Sequence, residues 1–75
     1  MKNNKQFAVI GLGRFGRAVV ETLVASGYDV MGCDKNMEAV KQMEHIATDV
    51  MQLDVMNEDA MQYIGLNNFD VVIVA

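Results

Sequence analysis

Three glycines that follow a short apolar run place the strongest constraint on how this chain can fold. Residues 7–10 read Phe-Ala-Val-Ile, and Gly11, Gly13 and Gly16 come directly after them. A continuous apolar run that ends at a glycine is typical of a strand buried on both faces of a parallel sheet. Glycines with the spacing G-x-G-x-x-G after such a strand indicate a tight turn that opens a helix. We therefore predict a strand, a glycine turn and a helix at the start of the chain.

The rest of the chain continues this alternation of strands and helices. Phe15, Val19 and Leu23 recur at four-residue spacing, which predicts a helix over 14–26 that stops at Gly27. The later elements are predicted from apolar runs and caps: strands over 29–34, 48–53 and 71–74, a helix that Asn36 caps and that carries Met37, Val40 and Met43, and a short third helix between Asn57 and Gly65.

The character of each predicted strand indicates its place in the sheet. The strand over 48–53 is the most polar, which is expected where one side of a sheet edge meets water, and the strand over 71–74 is the most apolar and is predicted to be buried. Strict alternation of strands and helices implies right-handed crossovers and a parallel sheet. The fold class is therefore α/β, a Rossmann-like half-domain of βαβαβαβ type with strand order 3-2-1-4, as a single truncated domain over 1–75.

An acidic residue after the second strand extends the glycine pattern. Asp34 lies 18 residues beyond Gly16, at the end of the predicted strand over 29–34. In dinucleotide-binding turns the helix start receives phosphate, and an acid at this position accepts hydrogen bonds from ribose hydroxyls. The same carboxylate repels a 2′-phosphate, so NADP is disfavoured, although neighbouring Lys35 weakens that exclusion. The alternative is purely structural, with glycines that only make a tight turn and an exposed acid at a strand end.

Each of the other candidate residues has both a binding and a structural interpretation. Arg14 at the helix start offers a two-pronged donor to phosphate, or it is a solvated cation. Asp54 lies just past the third strand near the expected adenine, or it is a solvated loop carboxylate. His45, the only histidine, is expected at the surface, and Cys33 is expected to be a small buried side chain without a base beside it.

The quoted segments resemble a known family. Residues 7–16, residues 27–30 leading to Asp34, and residues 69–75 closely resemble the RCK, or TrkA-N, domain of potassium channels and transporters, with the Ktr and Trk regulatory subunits nearest. The resemblance covers the first half of that family's N-terminal lobe. Where the family often has a Gly-Asp-Ala-like turn, this chain has Leu53, Asp54 and Val55.

The resemblance implies a regulatory function controlled by a nucleotide. It implies that NAD(H) or ATP/ADP binds the lobe and that a ring of such domains transmits the change to a membrane potassium channel or transporter. The nucleotide-binding residues that it implies are Gly11, Leu12, Gly13, Arg14, Phe15, Gly16, Asp34, Lys35, Asp54 and Val55.

Composition narrows the range of functions. Six basic residues against ten acidic ones give a net charge of −4, which disfavours nucleic acid as a partner. No apolar stretch reaches the roughly 18 residues that a membrane span requires, so no direct membrane insertion is expected. A lone cysteine and the lack of a leader pattern favour the cytoplasm. No triad or metal-ligand set is apparent, so we expect no catalysis and no metal.

Two alternatives remain open for the function, and one expectation concerns assembly. The chain could instead be the cofactor half of an NAD-dependent dehydrogenase, or an engineered minimal fragment without activity. Two helices on one sheet face against one on the other leave apolar surface uncovered, formed by Phe7, Val9, Val72 and Val74 or by their alternating neighbours. We therefore expect a homodimer or a higher homo-oligomer.

Overall fold

The computed structural model describes residues 5–53 and 69–75, which form a parallel sheet with two helices packed on it. Most element boundaries fall within one residue of the prediction, and those of the strands over 29–34 and 71–74 match it at both ends. The elements in chain order are β1 Gln6–Ile10, α1 Arg14–Ala25, β2 Asp29–Asp34, α2 Met37–Met43, β3 Asp49–Gln52 and β4 Val71–Val74.

The strand order is β3-β2-β1-β4, and all three neighbouring pairs are parallel. On β1, Phe7 lies opposite Val30 of β2 and Val71 of β4. The order 3-2-1-4 and the Rossmann-like α/β class predicted from the sequence are confirmed. Because all strands run in the same direction, their carboxyl ends meet at a single edge of the sheet, where the glycine turn begins.

Helices α1 and α2 both pack on one face of the sheet. Val9 of β1 and Val30 of β2 form a buried cluster there with Val20 of α1 and with Val40 and Met43 of α2. Removing such side chains from water is the main favourable contribution to folding, at about 1.5–3 kcal/mol for each fully buried one. This arrangement is the reason that apolar residues recur at helical spacing along both helices.

A second, smaller cluster lies on the opposite face, where Ile10, Cys33 and Leu53 are buried against Met31 and Val72. The pairing register determines which residues share a face. Residues opposite each other in a parallel pair point to the same side, and Val9 pairs with Ile73 whereas Ile10 pairs with Val74. The expected grouping of Phe7 and Val9 with Val72 and Val74 was therefore wrong. Phe7 and Val9 lie on one face of the sheet, and Val72 and Val74 lie on the other.

The prediction that the last strand is buried was also wrong. Val74 is 73% exposed and Val71 is 37% exposed, whereas Val72 and Ile73 are half-buried. β4 lies at an edge of the described sheet and pairs only with β1, so Val71 and Val74 are exposed although they are apolar. The edge position of β3 was predicted correctly from its polar residues.

Both helix ends that were predicted from single residues are confirmed. Gly27 follows α1 with φ +91°, its N–H donates to Val24 O at 3.0 Å, and the Tyr28 N–H donates to Leu23 O at 3.1 Å. These paired bonds form a Schellman motif, which favours glycine because of the positive φ. At the start of α2, the Asn36 side chain accepts a hydrogen bond from the Glu38 N–H at 2.9 Å.

The third helix predicted between Asn57 and Gly65 lies outside the described residues, as do Asp54 and Val55. Within 5–53 and 69–75, no helix is long and apolar enough to cross a bilayer.

Candidate nucleotide-binding site

The glycine turn leaves the sheet at the carboxyl ends of the two central strands and is held there by backbone hydrogen bonds. The Gly11 N–H donates to Cys33 O of β2 at 2.8 Å. On the other side, the Ala75 N–H donates to Ile10 O at 2.8 Å and extends the pairing of β4 with β1. The turn therefore begins from a point that two neighbouring strands fix.

Gly11 is a glycine for two reasons that concern the fold. Its φ is +99°, a conformation that residues with a side chain rarely adopt. A Cβ on Gly11 would also lie 2.7 Å from the carbonyl oxygen of Ala75. Any side chain here would strain the backbone and push against the chain after β4.

Gly16 is a glycine because the start of α1 packs directly against the end of β1. A Cβ on Gly16 would lie 1.8 Å from Gly11 O and 2.9 Å from Gly11 C. Both of these atoms belong to the backbone, so neither can move aside as a flexible side chain can. The close contact of helix and strand therefore requires glycine at this position.

Gly13 differs from the other two because no steric reason in the described residues requires it. Its φ is −71°, which any residue can adopt, and no described atom lies within 4 Å of the position that a Cβ would take. Gly13 is the N-cap of α1, where Ser, Asp and Asn are preferred over glycine because their side chains accept hydrogen bonds from the first N–H groups. α1 has no such side-chain cap.

The two helices of the described structure start in opposite ways. α2 has a side-chain cap from Asn36 and an acidic residue, Glu38, in its first turn. α1 has neither a capping side chain nor an acidic residue there, and Arg14 and Arg17 lie in its first turns. The partial positive charge of a helix N-terminus is therefore compensated within α2 and left open in α1, which favours an anion at α1.

Asp34 makes two hydrogen bonds that the sequence did not reveal. Its Oδ2 accepts from the Leu12 N–H at 2.7 Å, and its Oδ1 accepts from the Asn36 N–H at 2.9 Å. The side chain thus connects the glycine turn to the residue that caps α2. Because an ionised carboxylate has about four acceptor positions, two remain for another donor. The spacing of Asp34 from the glycines was the only signal for this contact.

The other predicted site residues lie in different environments. Leu12 is buried and its side chain packs over Gly32, where a Cβ would be 3.2 Å from Leu12 Cδ2. Phe15 is 67% exposed on the first turn of α1, and Arg14 and Lys35 are exposed as well. The structure thus brings residues 11–16 and Asp34 together, with Lys35 as the next residue along.

Two further candidate side chains, Cys33 and His45, lie in opposite environments, one buried and one exposed. Burial, with a smaller contribution from the charge of Asp49, raises the pKa of the Cys33 thiol to about 11, so the thiol is protonated near neutral pH. The His45 side chain is 90% exposed, as expected for a surface histidine, and its Nε2 lies 3.9 Å from Glu44 Oε1. No cluster of three or more His, Cys, Asp or Glu side chains suited to a metal occurs within the described part of the chain.

The fold and the turn together define a Rossmann-like α/β domain with a dinucleotide-type glycine turn. Residues 7–75 match the TrkA-N domain family, which covers nearly the whole chain. The chain belongs to the TrkA-N domain family, as the resemblance of its glycine turn and last strand indicated.

Three relatives are similar over almost all of the chain. It is 42% identical over 72 residues to Ktr system potassium uptake protein A of Bacillus subtilis (strain 168), a match that covers 96% of this chain and 32% of that protein. It is 42% identical over 71 residues to Ktr system potassium uptake protein C of the same organism, covering 95% of this chain and 32% of the relative. It is 38% identical over 72 residues to Ktr system potassium uptake protein A of Vibrio alginolyticus, covering 96% and 33%. The chain spans about a third of the length of these relatives.

The geometry predicts opposite tolerance for alanine at two glycines of the turn. Gly16→Ala drives a Cβ into Gly11 O and should lower the free energy of unfolding by about 3 kcal/mol or more, because a backbone contact cannot relax easily. Gly13→Ala projects into open space and should cost less than about 1 kcal/mol, the typical effect of a poorer helix cap. Urea unfolding followed by circular dichroism measures both. Equal destabilisation by the two substitutions would contradict the assignment of Gly16 to the fold and of Gly13 to binding.

Proposed function

We propose that this TrkA-N domain binds an adenine nucleotide, NAD(H) or ATP/ADP, at the start of α1 and acts as a cytoplasmic regulatory domain of a potassium uptake system. The observation that carries the proposal is the uncapped start of α1. Gly13 presents backbone without a side chain in open space, at the end of a helix whose positive charge nothing in its first turn offsets.

Phosphate is the ligand group that best suits this helix start. Among the described residues, no hydrogen-bond acceptor is assigned to the N–H groups of residues 13–16, whereas the Leu12 N–H is already bound to Asp34. Phosphate oxygens accept several such bonds at once and are favoured by the helix dipole. The exposed guanidinium of Arg14, the first residue of α1, adds a cation that can bind a terminal phosphate.

Asp34 supports the choice of a ribose that carries free hydroxyls. Its two remaining acceptor positions match two hydroxyl donors, and its negative charge opposes a 2′-phosphate. We therefore infer that NAD(H) is favoured over NADP, with Lys35 as the nearest residue in the chain that reduces this preference. Asp54 and Val55 are proposed to lie near the adenine, from the resemblance alone.

The relatives support a role in potassium transport, which we infer to be regulatory and not catalytic. All three are Ktr system potassium uptake proteins. Among the described residues, Cys33 is buried with a raised pKa, and His45 is exposed at the surface beside Glu44, so neither is an activated nucleophile. We infer that the partner is a membrane potassium channel or transporter subunit and that the nucleotide alters its gating.

Self-association is part of the proposal. Exposed apolar side chains lie on β4 and on the first turn of each helix: Val71, Val74, Phe15 and Met37. Apolar side chains on a sheet edge favour pairing with another copy, and a regulatory ring would need such contacts. We therefore infer a homodimer or a larger homo-oligomer.

A capping residue at Gly13 should separate stability from nucleotide binding. Gly13→Asp supplies a side-chain cap to α1, so the free energy of unfolding should stay the same or rise by about 0.3 kcal/mol. The added carboxylate occupies the phosphate position and repels it, so binding of NAD and ATP should fall below detection. Isothermal calorimetry with NAD, NADP, ATP and AMP on the parent and the variant provides the measurement.

Gly13→Asn is the matched control, because it caps the helix without adding charge and should weaken binding less than Gly13→Asp. Undiminished nucleotide binding by Gly13→Asp, or an absence of binding by the parent, would reject the proposed site. Tighter binding of NADP than of NAD would reject the assignment of Asp34 to the ribose.

Arg14 is expected to distinguish nucleotides by their terminal phosphates. Arg14→Ala should lower the affinity for ATP by about tenfold or more and change the affinity for AMP little. AMP lacks the distal phosphate charges that the guanidinium would contact. Arg17→Ala removes a cation one turn further along α1 and serves as the control for net charge. A uniform loss for ATP and AMP would indicate damage to the glycine turn instead of a lost phosphate contact.

Association is tested by sedimentation equilibrium at micromolar concentration. We expect a species heavier than 8.3 kDa for the parent and a shift toward 8.3 kDa for Val74→Lys, since a charge on the exposed strand opposes edge pairing. Lys41→Ala alters an exposed residue of α2 as a control. A folded parent that sediments as a monomer throughout this range would refute the inference.

A further inference from the structure

Hydrogen bonds from the segments on both sides hold the backbone at Asp34. Its own carbonyl accepts the Leu53 N–H at 2.9 Å, and the carbonyl of Cys33 before it accepts the Gly11 N–H at 2.8 Å. The backbone that carries the carboxylate is thus bound to the strand on either side. A side chain based there has a defined position relative to the glycine turn.

The hydrogen bond from Leu12 makes this carboxylate part of the turn. Leu12 lies between Gly11 and Gly13, and its side chain is packed over Gly32. Its N–H donates to Asp34 Oδ2 at 2.7 Å, a short distance for a charge-assisted bond. The bond therefore fixes the orientation of the peptide between Gly11 and Leu12, which leads directly into the peptide that carries the Gly13 N–H.

We propose that Asp34 is a positioning residue for the phosphate site: its carboxylate, through the Leu12 N–H, holds the glycine turn in the conformation that binds phosphate. This inference rests on the proposed nucleotide site and adds a second effect of Asp34 there, separate from any contact with ribose. The ligand class concerned is a polyphosphate, with or without a nucleoside attached.

The two effects of Asp34 predict changes of opposite sign for a ligand that has no ribose. If the carboxylate acts only as a ribose acceptor, its removal takes a negative charge away from the neighbourhood of an anion. By Coulomb's law, inorganic tripolyphosphate should then bind more tightly or equally well. If the carboxylate positions the turn, its removal releases the Leu12 N–H and tripolyphosphate should bind more weakly.

The test compares inorganic tripolyphosphate and ATP on the parent chain and on Asp34→Ala by calorimetry at low ionic strength. We expect the affinity of Asp34→Ala for tripolyphosphate to be lower than that of the parent by about tenfold or more, the effect of losing a hydrogen bond to a charged group. ATP should weaken by more than tripolyphosphate, because it also loses the ribose contact. Tripolyphosphate affinity that is unchanged or increased, in a chain whose parent binds ATP, would overturn it.

Asn36→Ala is the matched control for general destabilisation. It removes the side-chain cap of α2 next to Asp34 while its backbone N–H still reaches Asp34 Oδ1. Its free energy of unfolding should fall by about the amount typical of a lost cap, and its tripolyphosphate affinity should match that of the parent. A loss in Asn36→Ala equal to that in Asp34→Ala would assign the effect to stability and overturn the proposal.

A second measurement needs no substitution and therefore stands even if Asp34→Ala does not fold. In the parent, nuclear magnetic resonance should show the Leu12 amide slow to exchange with solvent, while the amides of residues 13–16 exchange quickly and shift when tripolyphosphate is added. A Leu12 amide that exchanges as fast as those of residues 13–16 would overturn the proposal. Failure of the parent to bind either ATP or tripolyphosphate would instead reject the nucleotide site itself.

Discussion

The close approach of the start of α1 to the glycine that follows β1 determines how this helix packs on the sheet. Gly16 lies so near Gly11 that a single added carbon would meet the Gly11 carbonyl at 1.8 Å. This contact brings α1 down onto the sheet, where Val20 joins Val9 and Val30 in the core. The same contact aims the first turn of α1 at the carboxyl edge of the strands. Packing and site geometry thus depend on the same pair of glycines.

The chain forgoes stability at the start of α1 and not at the start of α2. Asn36 gives α2 a side-chain cap, whereas Gly13 gives α1 none; relative to an Asn or Asp cap, a glycine cap costs about 0.3 kcal/mol. α1 is the longer helix, with 12 residues against 7, and Val20 joins the core from it. Nothing in the packing of the described residues accounts for an uncapped, acid-free helix start beside an exposed arginine, whereas the proposed anionic ligand would account for it.

Much of this fold could be predicted from the sequence because its signals are local. Apolar runs, the positive-φ residue Gly27 and the cap Asn36 act within a few residues, and their predictions hold. The errors concern relations between distant segments. Strand β4 was predicted to be buried from its own apolar residues, although the predicted order 3-2-1-4 placed it at an edge, and the edge position decides its exposure. The sheet face on which Val72 lies was also mispredicted, because it depends on the register of β4 with β1. The hydrogen bond from the Leu12 N–H to Asp34 was not predicted, because it joins residues 22 positions apart.

The glycines of the turn carry unequal weight as evidence of function. Gly11 and Gly16 would be required in any chain that turned this sharply from strand to helix, so their presence supports the fold alone. Gly13 has an ordinary φ and free space around it, and a better helix cap was available to the sequence. Its presence is therefore the part of the motif that packing does not account for. The case for a ligand depends on that residue together with Asp34, whose carboxylate connects the turn to the start of α2 through one hydrogen bond on each side.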